Sequence, residues 1–203
     1  MLKQFVVPLF LLLLLSSCAQ QPRVVDTTTN SNIPWSIHQQ RLNALTQWQF
    51  SGKLAVLSPT ERHSFNIHWQ QSEQTLKISL TNFLGMRVLS ISKNAQLTTV
   101  IDAKGNKYSD PNADMLVHSL SGLDIPIALL QQWIKGNPVQ ATYLLDRHQR
   151  VAQLTQKEAI TSRWSIQYTD YRATSGLMLP YKLALQRQDI RLKFAINQWN
   201  IIP

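Results

Sequence analysis

Apolar residues on every second position dictate most of what this chain can fold into. Trp48, Phe50, Leu54 and Val56 are separated by Gln49, Ser51 and Lys53, so consecutive side chains differ in their taste for water. A period of two sends them to opposite faces, which makes such a run a strand with one dry face and one wet one. The pattern recurs where Phe65, Ile67 and Trp69 alternate with Ser64, Asn66, His68 and Gln70, and where Leu76, Ile78 and Leu80 alternate with Thr75, Lys77 and Ser79. Ser58-Pro59-Thr60 and Gln71-Ser72-Glu73 are short polar connections suited to antiparallel neighbours, so the three runs predict a meander. Further strands are expected at 86–93, 96–102, 163–169, 179–186 and 190–197, with turns at Lys104-Gly105-Asn106 and Arg187-Gln188-Asp189. Only 15% of residues are charged while 21 are glutamine, so the wet faces are built largely from uncharged polar groups.

A sheet with one apolar face is antiparallel and needs a cover. Three segments can supply it. Trp35, His38, Leu42 and Leu45 recur at helical spacing over 36–45. A second helix is expected with Asp110 as cap and Pro111 in its first turn, running to about Leu120 and presenting Leu116, Val117 and Leu120. A third runs from Pro126 to Lys135, stopped by Gly136 and presenting Ile127, Leu130 and Ile134. The expected class is mainly β with helices (α+β): a strongly curved antiparallel sheet with short helices across its concave side, in one domain over residues 34–203.

The N-terminus is of another kind. Lys3 precedes an apolar run from Phe5 to Leu15 broken only by Pro8, and Leu15-Ser16-Ser17-Cys18 follows. Eleven residues are too few for a bilayer that needs about 20 in a helix, so the segment reads as a secretory leader over 1–17. Leu-Ser-Ser-Cys resembles the lipobox of bacterial lipoproteins, whose cysteine becomes the lipidated first residue. Cys18 is the only cysteine in the chain, which excludes an internal disulfide and a thiolate zinc site. The resemblance implies three acyl chains there, a durable anchor where a single chain is a weak one. It also implies the outer membrane, because Ala19 stands where an Asp favours retention in the inner one. Residues 18–33 are polar and aperiodic and read as a tether. Formal net charge is +9; loss of Lys3 with the leader leaves 19 basic against 11 acidic residues.

Catalytic signatures are missing: there is no GxSxG, P-loop, GxGxxG or HExxH. His63 and His68, five apart on an expected strand, face opposite ways and share no metal. Asp146-Arg147-His148 sits in a polar stretch that reads as a solvated turn. Neither enzyme chemistry, nor a metal, nor a cofactor beyond the acyl groups on Cys18 is expected. The basic residues are scattered without interleaved aromatics, which argues against nucleic acid; the excess charge suits anionic headgroups or an acidic protein partner, and equally a generally solvated positive surface.

Leu80-Thr81-Asn82-Phe83-Leu84-Gly85-Met86 joins two strands and ends in turn formers, yet its middle is Phe83 and Leu84. A tip of that kind either folds back onto the sheet or presents its side chains to a partner or membrane.

Taken together, the lipobox, His68-Trp69-Gln70-Gln71, the Leu80 to Gly85 stretch, Asp102-Ala103-Lys104-Gly105, Leu120-Ser121-Gly122, Ile125-Pro126 and Gln132-Trp133-Ile134 with Gly136 resemble LolB, a family of outer-membrane lipoprotein receptors. The resemblance implies an open antiparallel barrel lidded by helices, with an apolar cavity for the acyl chains of cargo lipoproteins. These would be received from a soluble periplasmic carrier of the LolA type and passed to outer-membrane lipid without nucleotide, by a monomer. Leu84 matches the loop leucine of the family's membrane-transfer step, with Phe83 beside it where the family often has proline. Trp48, Trp69, Trp133, Trp164, Ile127 and Leu130 are candidates to line the cavity; each serves equally as core. Two other classes share these features: a structural or envelope-assembly lipoprotein with a buried tip, and a periplasmic hydrolase with Ser, His and an acid converging in a cleft.

Overall fold

The computed structural model describes residues 33–157 and 162–202; the leader, Cys18 and the tether up to residue 32 lie outside them. The described chain runs α1 (Trp35–Ala44), β1 (Trp48–Leu57), β2 (Arg62–Gln71), β3 (Leu76–Thr81), β4 (Arg87–Lys93), β5 (Thr98–Asp102), β6 (Lys107–Asp110), α2 (Ala113–Ser121), α3 (Ile127–Trp133), β7 (Ala141–Leu145), β8 (Val151–Gln156), β9 (Ser165–Thr174), β10 (Leu177–Arg187) and β11 (Ile190–Ile201).

All eleven strands form one sheet in the order β6-β5-β4-β3-β2-β1-β11-β10-β9-β8-β7. It consists of two antiparallel meanders joined where β1 meets β11, and it stays open, with β6 and β7 as its edges. The alternation sets the faces. Trp48, Phe50 and Leu54 of β1, Ile67 and Trp69 of β2, and Leu192, Phe194 and Ile196 of β11 point to one buried side, while Lys53, Asn66, Lys193 and Ala195 point away.

Helix α2 packs on β5 and β6 and touches α3. The carbonyl of Trp133, at the end of α3, accepts a 2.7 Å bond from the Tyr168 hydroxyl of β9. Strands β5 and β9 are seven places apart in the sheet, roughly 34 Å if it were flat at the usual spacing of about 4.8 Å. A pair of touching short helices spans that gap only if the sheet curls around them. The apolar face is therefore concave, and the helices lie across it.

Local corrections follow from hydrogen bonding. Asn112, not Asp110, caps α2: its Oδ1 accepts from the amides of Asp114 and Met115, while Asp110 closes β6 and its Oδ1 accepts from Asn112 N, short of the helix. Leu120 is 39% exposed, so the buried stripe of α2 is Ala113, Leu116 and Val117. Helix α3 starts after Pro126, which cannot cap with a side chain; Asp114 does so instead, accepting from Ile127 N at 2.9 Å. Burial raises the pKa of this carboxyl.

Lys135 is the unexpected core member, 2% exposed, with Nζ donating to the carbonyls of Leu42 (2.6 Å) and Leu45 (2.7 Å) at the C-terminus of α1. It satisfies carbonyls that a helix end leaves free and ties α1 to the segment following α3. Burial pulls its pKa from 10.5 to about 8. Below pH 8 folded and unfolded chains both hold the proton, and the fold bears the full cost of burying charge. Between pH 8 and 10.5 the unfolded chain binds more proton, so stability rises with pH. We expect a gain of about 2 kcal/mol between pH 8 and 9.5, read as a rise in urea midpoint. Lys135→Met should flatten that rise while lowering stability throughout; an unchanged slope would assign it to another group.

Candidate functional site

The hairpin between β3 and β4 is wired to hold its tip outward. Asn82 N donates to Met86 O (2.9 Å) and Gly85 N to Asn82 O (3.0 Å), while Asn82 Oδ1 accepts from both Leu84 N and Met86 N at 3.0 Å. Gly85 takes φ +80°, which closes the turn, and nothing lies near enough to meet a Cβ there. Phe83 occupies the second place of this turn, a position that suits proline as well. With the backbone bonded inward, Phe83 is 89% exposed, Leu84 66% and Met86 58%. Three large apolar side chains at one tip form a patch that water disfavours, on a turn that cannot fold back without losing its own bonds.

Beneath the helices the concave face is lined by aromatics. Trp48, Phe50, Trp69 and Trp199 pack with ring centroids 5.1–6.1 Å apart. Trp199 Nε1 donates to Pro180 O at 2.8 Å, but the indole N–H of Trp69 is buried without a partner among the described residues. From the other side Ile127, Leu130 and Trp133 of α3 descend onto this face, with Trp133 Nε1 held by Val139 O. Trp164 sits where the segment before β9 passes under the α2–α3 connection, donating to Asp124 O at 2.9 Å. The structure thus gathers Trp48, Trp69, Trp133, Trp164, Ile127 and Leu130 into one buried cluster, each at most 4% exposed. In this closed packing they act as core; Trp48 also borders a polar pocket of about 110 Å³ with Asn43, Gln71 and Lys135.

The connection between α2 and α3 is clasped to the sheet. Asp124 accepts from Arg187 Nη1 of β10 (2.6 Å) and stands 2.6 Å from His118 Nδ1 of α2, and the guanidinium also reaches Ser162. The Arg187 bond is the first cause of the lowered Asp124 pKa. All these partners are rim groups, partly open to water.

Of the other sequence candidates, Asp146-Arg147-His148 forms the β7–β8 turn, where Asp146 accepts from the His148 and Arg150 amides and from the Arg150 guanidinium. Among the described residues no group of His, Cys, Asp and Glu is placed to hold a metal, and no serine hydroxyl bonds to a histidine ring.

Residues 46–199 match the family described as Outer membrane lipoprotein LolB. An outer-membrane lipoprotein LolB of Psychromonas ingrahamii is 43% identical over 198 residues, covering 98% of this chain and 96% of the relative. That of Vibrio cholerae is 38% identical over 197 residues, covering 95% and 93%. The fold is shared with far more distant solved structures. A LolA superfamily protein of Nitrosomonas europaea superposes with a TM-score of 0.50 at 7% identity, over 84% of this chain and 94% of that one. A DUF1329 family protein of Desulfovibrio piger gives 0.54 at 5% identity, over 82% and 90%.

Proposed function

The chain belongs to the LolB family of outer-membrane lipoproteins, and on that premise we propose that it receives lipoproteins from a soluble periplasmic carrier of the LolA type and passes them into the outer membrane. The observation that carries this reading is the hydrogen-bonded turn that holds Phe83, Leu84 and Met86 in water. A protein with no use for an apolar surface would bury such a tip, and the structural-lipoprotein alternative requires it buried.

The reading is of binding, without catalysis and without nucleotide. An acyl chain leaving a carrier gains about 0.8 kcal/mol for each CH₂ withdrawn from water, so a better-fitting apolar site and then the bilayer suffice to drive cargo forward. The cargo's chains would lie against the concave aromatics once α2 and α3 rise from the sheet. Trp48, Trp69, Trp133, Trp164, Ile127 and Leu130, now core, would then contact them. The unpartnered Trp69 N–H is the donor best placed for an ester or amide carbonyl of the cargo. Cys18 would carry the S-diacylglycerol and N-acyl groups that keep the tip within reach of the membrane.

Mixing the mature protein with a carrier loaded with radiolabelled lipoprotein tests the reading. Cargo should co-purify with this chain and then move to added vesicles. A folded protein that takes up no cargo would favour the structural alternative.

A further inference from the structure

The convex face of the sheet carries a row of cations in register with the apolar tip. Reading outward-facing partners across the strands, Lys182 of β10 pairs with Ala195 of β11, Ala195 with Lys53 of β1, Lys53 with Asn66 of β2, Asn66 with Thr81 of β3, and Thr81 with Arg87 of β4. The Asn66 amide donates to Asn82 O at 3.1 Å, so the row runs directly into the turn that bears Phe83 and Leu84. The next rows toward the same end of the sheet add Lys193, flanked by Ala184 and Ala55, and then Arg191 and Arg62 on either side of Leu57.

The small residues leave a trough of about 580 Å³ walled by Lys53, Lys182, Lys193 and Arg191 and floored by Ala55, Ala184 and Ala195. The ammonium groups of Lys53, Lys182 and Lys193 have no ion pair or hydrogen bond among the described residues. The row ends on an acid, Asp170 of β9, the cross-strand neighbour of Lys182, but its carboxylate is paired with Arg172 at 2.8 Å and it does not line the trough; Glu61 stands 2.8 Å from His63, and Asp189 lies in the β10–β11 turn.

We propose that this trough docks on the phosphate headgroups of an anionic bilayer, laying the barrel on its convex face with the Phe83-Leu84 tip turned into the lipid. A protein partner fits less well, because interface cores favour aromatic anchors and exclude lysine, and no exposed aromatic lines the trough. Unpaired lysines on a smooth alanine floor suit a diffuse surface of phosphates. Rigid continuity with the tip places the charges at headgroup depth when the apolar residues enter the acyl region. Each cation near such a surface contributes roughly fivefold in partition, and salt screens it.

The inference rests on the membrane-facing reading of the tip, and its test separates the two. The mature lipoprotein, with Cys18 lipidated and no other cysteine, is reconstituted in vesicles of phosphatidylethanolamine mixed with either phosphatidylglycerol or phosphatidylcholine. Ala184→Cys in the trough and Thr142→Cys on the β7 edge are treated with a water-soluble maleimide. The trough site should react at least about fivefold more slowly on phosphatidylglycerol vesicles, with full reactivity restored by high salt or by Lys53→Gln, Lys182→Gln and Lys193→Gln together; the edge site should not respond. Equal rates on both vesicles, or protection that appears only when an acidic carrier protein is added, would overturn the proposal. Adding Leu84→Glu distinguishes the failures: protection that depends on charge while delivery is lost supports the trough independently of transfer.

Discussion

Leu84→Glu is expected to leave the protein folded and able to take cargo from a carrier, yet to cut delivery into vesicles by about 30- to 150-fold. The side chain is 66% exposed and touches no core, so stability should change by less than about 0.5 kcal/mol. Its backbone amide, which donates to Asn82 Oδ1, is retained, and the turn keeps its shape. What changes is the cost of pressing the tip into lipid. Leucine is favoured there by a few tenths of a kcal/mol and a carboxylate opposed by two to three, so the difference is about 2–3 kcal/mol. Cargo should accumulate on the variant, a distinction from simple misfolding that gel filtration of the stalled complex reads directly. Normal delivery would remove this loop from the transfer step.

That a single loop is legible from sequence while the surface beside it is not has a physical reason. The tip is local: turn formers, a positive-φ glycine and two misplaced apolar residues lie within seven positions. Strands β1 to β3 are equally local, since alternation reports burial on one face. Strands β6, β7 and β8 escaped. Lys107–Asp110 and Thr142-Tyr143-Leu144 belong to the edges, where little is buried and alternation has no cause, and the buried pair of β8, Val151 and Leu154, falls three apart at a spacing that suggests a helix. Asp110 and Asn112 are chemically equivalent caps, and which one α2 uses depends on where β6 ends. The cationic row depends on long-range pairing, because Lys53 and Arg87 of the first meander meet Lys182 of the second only through the β1–β11 register. Lys135 reads as a surface residue until the end of α1 is brought against it.

Gly52→Val should have the largest effect on stability, because it strikes that same junction. A Cβ on Gly52 would lie 2.4 Å from Ala195 O and 2.8 Å from Ile196 Cα, which are backbone atoms of β11 with no rotamer to escape through. The crowding has a cause in the pairing: the register shifts between Ser51 and Gly52, so that Ser51 faces Gln198 while Gly52 faces Ile196, leaving Asn197 as the extra residue of a bulge. Relief requires β1 and β11 to part. In a closed barrel the two meanders would still be joined along their other edges, but among the described residues β6 and β7 pair with no further strand, and β1–β11 is the one strand pairing between the meanders. Parting it would also disturb the Trp48, Phe50 and Trp199 packing directly beneath. We expect a loss of more than about 3 kcal/mol, seen as a collapse of the urea midpoint or failure to yield folded protein. Ser51→Val, one position away on the convex side, should change the midpoint only slightly. Comparable midpoints for the two variants would mean that the halves hold together through the helices across the concave face, and that the sheet junction is not the hinge of its stability.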